Sequence, residues 1–158
     1  MNLIAPLLCA ERICIKAEAT TRNRIFEEAG RLCAGSLGLD ATQVAESLAE
    51  REAMGSTALG QGFALPHARL RGLRQPQAAF MRLDQPIPFN APDGKPVSDL
   101  LVLLVPEKAT EAHLQLLAEA AQMFGDRRFR ETLRLQGDAA AVQQAFADWP
   151  AIRPKVTP

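Results

Sequence analysis

The sequence predicts an α/β sandwich, one domain in which a mixed central β-sheet is flanked by α-helices. Three observations predict it. Segments of helical periodicity are interspersed with a few strand-like runs. Leu100 to Val105, in DLLVLLVP, is a continuous Leu/Val run of strand length, as expected of a central strand buried on both faces. The chain has 158 residues, of which 47% are apolar and 23% charged, an ordinary composition for one compact core.

Taken in order, residues 11 to 17, ERICIKA, set Arg12, Cys14 and Lys16 against apolar or small neighbours, a period of two that fits a short half-buried strand. From Thr21 the spacing changes. Ile25, Phe26, Ala29, Leu32, Cys33 and Leu37 form a helical stripe, with Thr20 or Thr21 as cap and Gly38 as stop. Asp40 opens a second helix through Val44, Ser47 and Leu48 to the charged end Glu50-Arg51-Glu52. Residues 55 to 69, GSTALGQGFALPHAR, are too rich in glycine for a helix and read as a defined loop with a short strand at Phe63-Ala64-Leu65. Gln77 to Leu83 is a strand. Gln85 to Lys95, with Pro86, Pro88, Pro92 and Asp93-Gly94, reads as a turn-rich connection. After the Leu/Val strand, a helix is expected from about Thr110 to Phe124. Two shorter ones follow, Asp126 to Leu135 and Asp138 to Ala147, each capped by its aspartate. Trp149 reads as a core or edge anchor and residues after Pro150 as a polar tail.

Charge and cysteine usage narrow the function. Eighteen Lys and Arg balance eighteen Asp and Glu, far from the basic excess that phosphate backbones demand, so nucleic acid is not an expected partner. The three cysteines, Cys9, Cys14 and Cys33, suit buried free thiols in a reducing compartment, and the expected location is cytoplasmic. The N-terminal run carries no preceding basic segment. Since the longest apolar stretch falls far short of the roughly 18 residues that span a bilayer, membrane insertion is not expected.

Several chemistries fail on their residues. The glycine loop has Gly60-Gln61-Gly62 where a phosphate-cradling P-loop needs Gly-Lys-Ser/Thr. Two distant histidines and cysteines at 9, 14 and 33 match no common zinc pattern, and Ser36 and Ser56 form no nucleophile elbow. No metal and no cofactor are expected. What remains is His67 in the glycine-rich loop, His113 at the start of a helix, hydroxyls at Ser56 and Thr57, and the cations Arg51 and Arg69. This is equipment for a phosphoryl group: a neutral imidazole is a competent nucleophile, and in-line transfer asks mainly for positioning and for donors around the equatorial oxygens. Arg69, Arg71 and Arg74, like Arg127, Arg128, Arg130 and Arg134, otherwise read as solvated faces. Met54, Leu59, Phe63 and Leu65 either complete the core or form an apolar rim for a partner.

The run Arg51-Glu52-Ala-Met-Gly55-Ser-Thr-Ala-Leu-Gly60-Gln-Gly62-Phe-Ala-Leu-Pro66-His67 resembles the active-site signature of the fructose/mannitol-type (type 2) IIA domains of the bacterial phosphoenolpyruvate-dependent phosphotransferase system. Met-Gly-Ser-Thr before the loop is similar to the stand-alone nitrogen-regulatory branch. The resemblance covers residues 3 to 147 and leaves 148 to 158 as a C-terminal tail. It implies that His67 accepts a phosphoryl group, as a tele-phosphohistidine, from a histidine phosphocarrier protein. Arg51 and His113 would match the family's active-site arginine and second histidine, with Ser56, Thr57 and Arg69 as phosphoryl-positioning groups. Regulatory targets such as potassium-transport or sensor-kinase systems are implied. The alternatives are a sugar-specific IIA component that hands the phosphoryl group to a separate IIB protein, or a binding module without phosphotransfer. The family commonly has glycine after its active histidine, where this chain has Ala68; any positive φ there would be costly.

Overall fold

The computed structural model describes residues 2–108 and 110–150. Two short 3-10 turns, Ala5–Leu7 and Ala10–Arg12, lead into β1 (Ile13–Ala17), α1 (Arg22–Leu37) and α2 (Ala41–Ala53). Then come β2 (Ala58–Gly60), β3 (Phe63–Ala64), β4 (His67–Leu70), β5 (Gln77–Ile87) and β6 (Val97–Pro106), followed by α3 (Glu111–Gly125), α4 (Arg127–Leu135) and α5 (Ala139–Asp148). The six strands make one mixed sheet in the order β1-β5-β6-β3-β2, with β4 continuing beyond β3 along the same side of β6. β1 runs parallel to β5, β3 and β4 run parallel to β6, and the β5–β6 and β2–β3 pairs are antiparallel.

The α/β sandwich read from the sequence is the observed one. In β6, every residue from Leu100 to Val105 is buried, and alternate side chains enter two cores. Leu100, Val102 and Leu104 pack with Ile25, Phe26, Val44 and Leu48 of α1 and α2. Leu101, Leu103 and Val105 pack with Leu116, Phe124, Phe129 and Phe146 of α3 to α5. Burial of each such Leu or Val contributes about 1.5–3 kcal/mol, which is why this run anchors the whole sheet.

Caps set the helix starts. Thr21 rather than Thr20 caps α1, its hydroxyl accepting from the Arg24 N–H at 3.1 Å. Asp40, Asp126 and Asp138 accept first-turn N–H groups of α2, α4 and α5, and Gly38 ends α1 at φ 68°. The α1–α2 crossing is close: a Cβ at Gly30 would lie 2.3 Å from the Ala41 carbonyl oxygen. Gly30→Ala must therefore part the two helices. We expect a loss of about 1–3 kcal/mol, read as a lower denaturant midpoint at unchanged slope.

The structure departs from the sequence reading in the strands. Residues 10 to 12 form a 3-10 turn, and Arg12 is buried, donating to the Leu7 and Ala78 carbonyls, Gln77 and Ser36. β5 runs on to Ile87 through Pro86, which sits where the pairing with β6 slips between Arg82 and Ile87, a place where a missing N–H is tolerated. The glycine stretch contributes β2 and β4 as well as β3. Cys33 is buried, its thiol pushed up to about 11 by desolvation, whereas Cys9 and Cys14 are half-buried. Trp149 is buried, donates from Nε1 to Asp126 at 3.0 Å and sets its ring edge-on to Phe129. The segment 151–158 lies outside the described residues.

Candidate active site

His67 is the first residue of β4. The strand's period of two sends Ala68 and Leu70 into the core beneath α1 and α2, and sends His67 and Arg69 to the face that carries α3. Ala68 has no positive φ; among the described residues only Gln61 and Asn90 do so without being glycine. The cost foreseen for a residue other than glycine after the histidine does not arise, because that position is ordinary strand.

The half-buried His67 ring places Nδ1 2.9 Å from the Leu65 carbonyl oxygen. A carbonyl only accepts, so Nδ1 carries the proton and Nε2 keeps its lone pair. Burial holds the imidazole below its ordinary pKa; the Leu65 carbonyl and Glu52 act upward, Arg51 downward. The ring is therefore neutral near pH 7.

His113 stands in the first turn of α3, its ring centroid 6.4 Å from that of His67 and inclined by 59°. It is buried, and its Nδ1 has no hydrogen-bond partner. Burial, then the proximity of His67 and Arg69, keeps its pKa down. Arg51, in the last turn of α2, lies where a cation favours the helix C-terminus and donates to the Gly55 carbonyl at 3.0 Å. Arg69 is exposed. The structure thus brings His67, His113, Arg51 and Arg69 to one locus.

The two hydroxyls face inward. Ser56 Oγ lies 2.5 Å from the Phe89 carbonyl, to which it donates, and Thr57 Oγ1 donates to Glu52 Oε1 at 2.6 Å. Both thereby brace the loop. Its far side is held by Asp93, which accepts the Gln61 N–H at 2.8 Å and the Lys95 N–H at 3.1 Å; these bonds keep its carboxyl below the usual range. Arg134 of α4 donates to the Gln61 carbonyl and lies over the Phe63 ring, 4.9 Å from its centroid. Gly62, at φ 85°, leaves the room this requires, since a Cβ there would stand 2.9 Å from Arg134 Nη2. The reading of this arginine as part of a solvated face is thus incomplete.

Sequence reasoning gave no task to Glu52, Asp93 or Arg134. For Glu52 a signal existed: Val44, Leu48 and Glu52 recur every four residues, which continues the buried stripe of α2 onto a carboxylate. The four apolar candidates divide. Phe63 and Leu65 belong to the core, whereas Met54 and Leu59 are exposed, as is Leu114 beside His113. Among the described residues, no group of three or more His, Cys, Asp or Glu is placed to hold a metal ion, and no helix is long and apolar enough to cross a membrane.

Comparison with known proteins accords with this arrangement. Residues 6–149 match the family described as phosphoenolpyruvate-dependent sugar phosphotransferase system, EIIA 2. The nitrogen regulatory protein of Pseudomonas aeruginosa is 41% identical over 149 residues, covering 94% of this chain and 97% of that one. The fructose-specific EIIA component of Haloferax volcanii is 34% identical over 121 residues, 77% of this chain and 75% of its own. Among solved structures, the crystal structure of nitrogen regulatory protein IIA-Ntr from Neisseria meningitidis superposes with a TM-score of 0.85 at 42% identity, covering 91% of this chain and 99% of that one. A sandwich of this topology, with a signature loop ending in Pro66-His67 and a match spanning nearly the whole chain, makes the protein a member of the EIIA 2 family of the phosphoenolpyruvate-dependent sugar phosphotransferase system.

Proposed function

We propose that the protein is a phosphohistidine relay and regulator of the nitrogen type, taking a phosphoryl group on His67 from a histidine phosphocarrier protein and changing its binding partners accordingly. The observation that carries this reading is the Nδ1–H bond to Leu65, which leaves Nε2 as the free nucleophile. In the step, the Nε2 lone pair attacks phosphorus, the phosphorus–nitrogen bond on the carrier breaks, and its electron pair returns to the carrier's imidazole. The product is a tele-phosphohistidine. Arg51 and Arg69 supply positive charge to the phosphoryl oxygens and His113 a neutral ring that donates to them. Ser56 and Thr57 contribute through the loop they brace.

The added group brings about −1.5 to −2 charges to a chain whose formal net charge is zero, enough to switch partner choice by electrostatics alone. Potassium-transport or sensor-kinase systems are the target classes this role suggests. A sugar-specific role, with a separate IIB protein as acceptor, is favoured by the fructose-specific relative; the nitrogen-regulatory relative matches at higher identity and coverage. The test is incubation with phosphoenolpyruvate, the first enzyme of the system and its phosphocarrier, followed by intact mass. An acid-labile gain of one phosphoryl group supports the reading, and no gain with any cognate carrier sinks it. Prompt discharge to a IIB protein would favour the sugar role.

The labelling rate carries a pH signature. His67 is depressed below the ordinary imidazole value of about 6.5, so Nε2 stays unprotonated through neutral pH. We expect a flat rate there, and a fall only at pH values below the ordinary histidine range, as the nucleophile takes up a proton. A midpoint above about 6.5 would contradict the burial that sets the shift.

A further inference from the structure

Glu52 is a buried carboxylate with both oxygens engaged by one residue. Oε2 accepts the Thr57 N–H at 2.8 Å and Oε1 accepts the Thr57 hydroxyl at 2.6 Å. Thr57 in turn offers its carbonyl to the Leu65 N–H at 3.0 Å, which fixes the Ala64–Leu65 peptide, the one adjoining the peptide that carries the Leu65 carbonyl. Leu65 then turns its own carbonyl to His67 Nδ1 at 2.9 Å. A continuous set of bonds therefore runs from the end of α2 through the loop to the imidazole. Buried charged groups of this kind are kept only where their partners are satisfied, and here all the partners belong to the loop that carries the nucleophile.

We propose that Glu52 is the positioning residue for His67, fixing its Nδ1–H tautomer and ring orientation through Thr57 and Leu65. The consequence for transfer rests on the relay reading above. Without the carboxylate, Thr57 loses its two anchors, the Leu65 segment is held only by its backbone bonds to Thr57 and to β6, and the Leu65 carbonyl is aimed less firmly at Nδ1. Each Nε2–H molecule presents a protonated nitrogen to the incoming phosphorus and cannot attack. The negative charge also acts on the ring directly, favouring its protonation and opposing Arg51.

The test uses the full-length, unphosphorylated protein labelled with 15N at histidine. Two-bond 15N–1H spectra read the His67 tautomer and its titration midpoint in wild type, Glu52→Gln, Thr57→Val and Thr57→Ser. We expect wild type to hold Nδ1–H. Glu52→Gln should show a mixture of tautomers and a midpoint moved to lower pH, because a stabilising anion has been removed. Thr57→Val, which keeps the backbone bond, should shift less, and Thr57→Ser should restore the wild-type spectrum. With phosphocarrier, Glu52→Gln should label more slowly, with roughly 10²-fold as the scale for a nucleophile displaced by about 1 Å. Should Glu52→Gln fail to fold, the Thr57 pair decides the question alone. An unchanged tautomer and midpoint in Glu52→Gln, or in Thr57→Val where that pair decides, overturns the proposal. If wild-type His67 accepts no phosphoryl group while Glu52→Gln still moves its tautomer, the relay reading falls and the positioning of His67 by Glu52 stands.

Discussion

Replacing His67 by alanine should abolish phosphoryl acceptance, removing the whole acid-labile gain of about 80 Da rather than slowing it. The reason is that no second nucleophile stands in the same place. His113 is the nearest imidazole, but its ring is 6.4 Å away and its Nδ1 is buried against the fold. Cys33 cannot stand in: it lies among α1 and α2 core side chains, and burial pushes its thiol up to about 11. His113→Ala and Arg51→Ala, by contrast, should leave the acceptor intact and label slowly. Since His67 is half-buried at a strand start and bonds only one carbonyl, His67→Ala should stay folded, with a circular dichroism spectrum like that of wild type. Full labelling of the alanine variant on any other residue would overturn the assignment of His67.

Asp99→Ala should have the largest effect on stability. Asp99 is 2% exposed and pairs at 3.5 Å with Arg82, whose guanidinium also donates to the Leu133 and Gln136 carbonyls at the end of α4. Burial raises the Asp99 carboxyl above its usual range and Arg82 acts against that rise. Removing the carboxylate leaves a mostly buried guanidinium without its counter-charge, a change that costs about 3–5 kcal/mol. In a domain of this size that lowers the thermal midpoint by on the order of 10 °C. The double variant Arg82→Met with Asp99→Leu should recover part of the loss, since the charge is then removed with its partner while the Leu133 and Gln136 carbonyls lose their donor. A thermal midpoint for Asp99→Ala within about 2 °C of wild type would show that water reaches the guanidinium and solvates it.

What the sequence made legible follows physical locality. Helix starts at Thr21, Asp40, Asp126 and Asp138 and the stop at Gly38 were readable, because a cap and its N–H partners lie within three residues or so. β6 was readable because a strand buried on both faces needs no polar alternation. β2 and β4 were not, since strands of three and four residues rest on pairing with β3 and β6, which no local pattern records. The burial of Arg12 escapes local pattern for the same reason: it depends on carbonyls from Leu7 and Ala78, one of them far along the chain. At the site, a proline before a histidine in a glycine loop drew attention to His67, whereas Glu52 and Arg134 act through contacts visible only after folding.

The place of His67 beside β6 has a consequence for motion. β6 is bonded to β5 on one side and to β3 and β4 on the other, with both faces covered. Its amides should be among the last to exchange with deuterium, opening only when the whole molecule unfolds. His67 sits opposite Leu103 in that protected ladder. The His67 imidazole is thus tethered through β4 to the most protected strand of the sheet, while Met54, Leu59 and Leu114 lie exposed to solvent.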